Sequence, residues 1–182
     1  MLLTEDDRNR LLAFARRCLE ARVRREAPPR VERGGGLDLP MGAFVSVHRC
    51  GELRGCLGRL ETDRPIADNV AHLAAIVADS DPRFMPLRAS ELVDVEIEIS
   101  ALAPEEEVAD VAEIEVGRHG LIVEAGHHRG LLLPQVATEY NWNRETFLDH
   151  TCLKAGLPRD AWRKGARIFK FDAQVFGEKS PR

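Results

Sequence analysis

The densest set of chemically capable residues in this chain is Leu53-Arg54-Gly55-Cys56-Leu57-Gly58. On a strand, Arg54 and Cys56 share a face and lie about 6.6 Å apart along the chain. A guanidinium that close favours the thiolate, the form that acts as nucleophile or metal ligand. Gly55 and Gly58 remove side chains beside the thiol, so a ligand or another backbone can approach. The same pattern also reads as a glycine bulge with Cys56 as a small core residue, and both readings stand at this point.

Other residues offer weaker signals. Glu96 and Glu98 alternate with apolar residues, a spacing that suits paired carboxylates and equally a solvated strand face. Arg83, after Asp81-Pro82, can present a cation to an anionic ligand or pair with Asp81. His119 before Gly120 reads as a general base or as a structural histidine. Gln135 and Glu139 lie one helical turn apart after Pro134, facing a pocket or ordinary solvent. Cys152 falls on an apolar helical stripe, which predicts burial. Trp162, beside Arg163 and Lys164, reads as a base-stacking and phosphate-binding patch in miniature or as a core anchor. His127-His128 falls in a turn. No HxxxH or CxxC spacing is present, so the sequence offers no metal site.

These residues need elements to position them. Residues 4–25 carry Leu11, Leu12, Ala15, Cys18, Leu19 and Val23 at helical spacing, and Thr4 with Asp7 approaches a capping box. The stretch 26–42, with Pro28-Pro29 and Gly34-Gly35-Gly36, reads as a connector. Residues 43–48 and 53–57 predict a hairpin turning at Cys50-Gly51. Pro65 starts a helix that Asp81-Pro82 would end. Residues 93–100 predict a strand with Val93, Val95, Ile97 and Ile99 on one face and Asp94, Glu96, Glu98 and Ser100 on the other. Runs at 119–124 and 129–133 predict a second hairpin around Gly126. Asn143 caps a helix carrying Phe147, Leu148, Thr151, Cys152 and Ala155, closed by Gly156 and Pro158. A last strand at 166–176 carries Phe169, Phe171, Ala173 and Val175, and a frayed tail follows from Gly177. Hairpins mixed with helices, without regular βαβ alternation, predict an α+β fold with a mainly antiparallel sheet and flanking helices.

Composition narrows the function classes. The 182 residues are 44% hydrophobic and 31% charged, with 26 Lys and Arg against 30 Asp and Glu. A formal charge of −4 argues against a strongly basic nucleic-acid module, although Arg22, Arg24, Arg25, Arg30 and Arg33 form a local basic set. No apolar run approaches the roughly 20 residues needed to cross a bilayer. The start, Met1 to Asp7, lacks the cationic and apolar stretches of a signal peptide, and Cys18, Cys50, Cys56 and Cys152 are scattered. These features predict a cytoplasmic protein with reduced thiols and no membrane partner.

Five stretches in order resemble the AMMECR family. They are Leu53–Gly58; Asp81-Pro82-Arg83-Phe84 with Pro86-Leu87; Ile97-Glu98-Ile99-Ser100; His119-Gly120-Leu121 running to Leu131–Ala137; and Phe147-Leu148 through Thr151–Pro158. They span residues 53–158, and Leu57 stands where isoleucine is commoner. The resemblance implies a single domain over 1–182, with a larger lobe carrying both termini, a smaller inserted lobe and a cleft between them. It implies no particular reaction and no particular cofactor. It also suggests protein A of the AmmeMemoRadiSam system, and hence a Memo-like protein and a radical SAM enzyme as partners. The chain has no CxxxCxxC cluster motif of its own. The reading from residues and resemblance together is an enzyme, or enzyme component, binding a small anionic or redox-active ligand in a cleft around Arg54-Gly55-Cys56. Cys56 and Arg54 are the catalytic candidates, with Glu98 and His119 secondary. Gly55, Gly58, Arg83 and Gln135 are ligand-binding candidates. The alternatives are a non-catalytic regulatory or interaction module and, more remotely, a nucleic-acid binder.

Overall fold

Thr4 and Asp7 form a complete capping box at the start of α1 (Glu5–Arg24). The Asp7 N–H donates to Thr4 Oγ1 at 3.2 Å, and the Thr4 N–H donates to Asp7 Oδ2 at 3.0 Å. The helix ends at Arg25, whose φ of 60° lies in the left-handed region. A computed structural model describes residues 3–178. The chain divides into two units, one built from the sequence up to Ala103 and again from Gln174, the other from Pro104–Ala173. The larger unit thus carries both ends of the described residues and the smaller is inserted, as the resemblance implies.

In the larger unit, α1 is followed by β1 (Gly42–Arg49), β2 (Glu52–Arg59), α2 (Ile66–Ile76) and β3 (Val95–Leu102). The strand order is β2-β1-β3, both pairings are antiparallel, and β2 is an edge. Alternation along β1 buries Ala43, Val45 and Val47 against the two helices. Each fully buried Val or Leu of this cluster contributes about 1.5–3 kcal/mol relative to exposure. Ser46 and His48 point to the opposite face.

The inserted unit contains β4 (Glu106–Glu107), β5 (His119–Ala125), β6 (His128–Leu132), α3 (Pro134–Glu139), α4 (Arg144–Lys154) and the first part of β7 (Arg167–Gly177). β5 pairs antiparallel with both β6 and β7. Its core gathers Ile114, Leu121, Val123, Phe147, Leu148 and Cys152. Gly130 lets α4 lie directly on the hairpin, since a Cβ there would stand 2.2 Å from the Ala155 backbone nitrogen. The last residues of β7, from Gln174, belong to the larger unit and lie next to β3.

Several elements depart from the periodic reading. The third strand starts at Val95, and Val93 is 86% exposed, because the turn from Leu92 to Asp94 breaks the alternation. Ser100, expected on the polar face, is buried. α2 stops at Ile76, five residues before Asp81-Pro82, and the intervening turn frees Asp81 for another role. Val175 is exposed. Trp162 is half-buried, with Nε1 donating to Asp149 at 2.8 Å and the Arg163 guanidinium 4.1 Å from its ring centre. At the expected tail, Gly177 closes β7 and Glu178 pairs with Arg16, while residues 179–182 lie outside the described residues.

Candidate functional site

The site is organised by a row of side chains crossing the larger unit's sheet. Cys56 on β2 sits in register with Ser46 on β1, and Ser46 sits in register with Glu98 on β3. The row lies on the face turned away from α1 and α2. Ser46 Oγ donates to Cys56 Sγ at 3.2 Å, and all three residues are half-buried. A hydroxyl at this distance fixes where the sulfur sits on the sheet face. Two residues further along β1, His48 shares this face in register with Glu96. His48 Nε2 is buried and has no hydrogen-bond partner among the described residues. In a regular ladder such a diagonal pair has its Cα atoms about 7–8 Å apart, and here the extra residue of β2, Arg54, lies between the two positions.

Asp81 and Arg83 clamp the backbone of the same cysteine. The Cys56 N–H donates to Asp81 Oδ2 at 2.9 Å, and Arg83 Nη2 donates to the Cys56 carbonyl at 3.3 Å. Arg83 also binds Asp81 through Nε and Nη2, at 2.9 and 2.7 Å. The pair thereby occupies the outward-facing backbone groups of an edge strand, which would otherwise offer a template for another chain. Those bonds, Arg83's first, hold the Asp81 carboxyl far below the usual carboxylate range, although burial opposes the shift.

Arg54 does not accompany Cys56. The register slips between Val47 and His48, so Arg54 is the extra residue of a bulge. Its guanidinium turns to Glu91, with Nε to Oε1 at 3.0 Å and Nη2 to Oε2 at 3.2 Å. Nη1 donates to the Met85 carbonyl at 2.7 Å and Nη2 also reaches Pro86 at 3.4 Å. The ion pair is largely shielded, with side chains 19% and 11% exposed. Arg54 pulls the Glu91 carboxyl below its ordinary range. The cation beside Cys56 is therefore that of Arg83, and the fold itself supplies Arg54 with its anion.

The glycines make room for the protein rather than for open space. A Cβ on Gly58 would fall 2.1 Å from the Phe44 ring, and one on Gly55 would fall 3.1 Å from Val77 at the end of α2. Gly55 is buried under that helix end.

His119 and Gln135 lie in the inserted unit. His119 is 6% exposed, and its Nδ1 accepts the Glu115 N–H at 3.0 Å. The other ring nitrogen, Nε2, lies 3.7 Å from Asp172 Oδ1. Asp172 in turn binds Arg118 at 3.0 Å. Gln135 is half-buried, and its Oε1 has no hydrogen-bond partner among the described residues. Among those residues no group of three or more His, Cys, Asp or Glu is arranged to hold a metal ion. Within the N-terminal basic set, Arg22 pairs with Asp79 and Arg33 with Asp68.

Sequence reasoning missed Ser46, His48, Asp81's role and Glu91. Ser46 and His48 carried a usable signal, since they occupy alternate positions of the first hairpin strand opposite the cysteine motif. Glu91 carried none.

The fold and this row define a two-unit α+β protein with a half-buried thiol on an antiparallel sheet. The AMMECR1 family model matches residues 12–176. A protein of Methanosarcina barkeri is 41% identical over 190 residues, covering 99% of this chain and 94% of the relative. One from Methanothermobacter thermautotrophicus is 42% identical over 189 residues, covering 97% and 96%. The crystal structure of an uncharacterised Pyrococcus horikoshii protein superposes with a TM-score of 0.87 at 36% identity, covering 99% of this chain and 95% of that one. The chain belongs to the AMMECR1 family.

Proposed function

We propose that this protein is an enzyme, or the thiol-bearing component of one, in which Cys56 acts as nucleophile or redox thiol toward a small molecule. The observation that carries this reading is the Ser46 Oγ–Cys56 Sγ contact in register with Glu98. The other cysteines lack such a setting. Cys18 and Cys152 are buried, and burial pushes the Cys18 thiol up to about 11 and raises that of Cys152. Cys50 is exposed in a turn. In this reading Ser46 steadies the thiolate, and His48 takes the thiol proton directly or through one water. Glu98 orients the bound molecule. Arg83 supplies positive charge at the Cys56 backbone, and Arg54 is a positioning residue that fixes the bulge. Gln135 and His119 remain ligand-binding and catalytic proposals for the inserted unit.

Limiting iodoacetamide on the native Cys50→Ser protein, read by mass spectrometry, tests the assignment. Cys56 should alkylate well before Cys18 and Cys152. If Cys56 stays unlabelled until the protein unfolds, the nucleophile reading falls.

A second reading has its own support, because Arg54, Asp81, Arg83, Gly55 and Gly58 all make contacts within the fold. On that reading the motif is architectural and the protein is a regulatory or interaction module. The labelling result separates the two. No helix among the described residues is long and apolar enough to cross a membrane. The proposal places the protein in the cytoplasm, with a Memo-like protein and a radical SAM enzyme as the partners to test by co-purification.

A further inference from the structure

On the far side of Arg54 from its strand, the segment after Phe84 folds into a recess of about 300 Å³. Arg49, Arg54 and Arg88 line it together with Ser90 and Glu91, and Met85-Pro86 forms a wall. Cys56 does not line it. Three guanidiniums thus line a recess whose one lining carboxylate, Glu91, is largely taken up by Arg54. Glu91 Oε1 takes Arg54 Nε, and Oε2 takes Arg54 Nη2 together with the Arg88 N–H at 2.9 Å.

The remaining positive charge is only partly compensated. Arg49 makes long bonds to Glu91 at 3.5 Å and to the exposed Asp94 at 3.4 Å. The Arg88 guanidinium is exposed and has no ion pair among the described residues. Ser90 is exposed beside it. Like charges lining one recess repel, and Glu91, engaged by Arg54, leaves Arg88 without an anion. Planar guanidiniums with a neighbouring hydroxyl match the geometry of a phosphate or carboxylate. The volume suits a small ligand.

We propose that this recess is an oxyanion-binding site in which Arg49, Arg88 and Ser90 bind a phosphate or carboxylate group of a small molecule. Arg54 is its structural floor, tied to Glu91 and unavailable for direct coordination. The site does not depend on the Cys56 reading, since it shares no ligand-contacting residue with the thiol row.

Calorimetric titration and thermal unfolding of the whole protein test it, with inorganic phosphate and malonate as separate probes. Potassium chloride at matched ionic strength is the control. At least one oxyanion should raise the unfolding temperature above the chloride control. Which probe binds more tightly distinguishes a phosphate site from a carboxylate site. Arg88→Ala, an exposed substitution that should leave the fold intact, should weaken binding about tenfold or more. Ser90→Ala should weaken it less. Equal responses to both probes and to chloride would overturn the proposal. So would unchanged affinity in a folded Arg49→Ala/Arg88→Ala variant.

Discussion

The Asp81 carboxylate accepts the backbone N–H of Cys56 at 2.9 Å, across a sequence separation of 25 residues. A bent segment after α2 thereby grips the edge strand at the residue proposed to react. Asp81 is itself gripped by Arg83, so the clamp is a closed unit of carboxylate, guanidinium and strand backbone.

That unit makes stability depend on pH in acid. The folded carboxyls of Asp81 and Glu91 lie below their ordinary values. Below about pH 5 the unfolded chain therefore binds more protons than the native one, and stability falls as pH falls. The contribution is fully present above the ordinary carboxyl value near 4 and is lost as pH drops through the folded values. Asp81→Asn should be less stable than the parent at pH 6, and the gap should narrow toward pH 2. Urea unfolding across that range measures it, and a constant gap would contradict the clamp.

Arg54 and Glu91 should behave as one unit. Arg54→Ala leaves a shielded carboxylate with the distant Arg49 as its only cation and the Arg88 N–H as its one close donor, so it should cost about 2–4 kcal/mol, near the lower end for breaking a buried pair. Arg54→Ala/Glu91→Ala should cost less than the two single variants added together. Chemical denaturation of the four proteins closes the cycle. If Arg54→Ala changes stability by less than about 0.5 kcal/mol, as surface substitutions do, the structural role is wrong.

The glycine positions differ in what can yield. At Gly58 an added methyl meets the Phe44 ring, a side chain that can rotate away. At Gly130 it meets the backbone of Ala155, which cannot move without lifting α4. Gly58→Ala should lose about 1–3 kcal/mol, the usual cost of overpacking. Gly130→Ala should lose more, and Phe44→Leu should rescue only Gly58→Ala. Melting temperatures of the three single variants and of the two doubles that carry Phe44→Leu decide it.

Ser46→Ala tests the thiol row without removing the thiol. Loss of the donor to sulfur should slow alkylation of Cys56 several-fold at neutral pH, and an unchanged rate would remove Ser46 from the site. Cys18 supplies an internal contrast. Its folded thiol lies near 11, so from about pH 9 to 11 the unfolded chain has lost a proton that the native one keeps. Stability should fall across that window, and Cys18→Ala should flatten the fall.

The sequence by itself determined the elements and the family. Its helical stripe at Leu11, Leu12, Ala15, Cys18 and Leu19, its alternation from Val95 to Ile99 and its caps at Thr4 and Asn143 are local, and the structure contains them. Cys56 stood out as a candidate because a cysteine sits between glycines beside an arginine. What surrounds it was not. Ser46 lies opposite Cys56, and Glu98 opposite Ser46, only because three strands align in one register. One inserted residue turned Arg54 from the thiol to Glu91, since a bulge shifts which way a side chain points without leaving a periodic trace. Asp81 and Glu91 lie 25 and 37 positions from the strand residues they bind. Local propensity carries no information over such separations. Those partners were decided when α2 ended early and the chain turned back along the open edge of β2, where unpaired backbone groups and a buried guanidinium required acceptors.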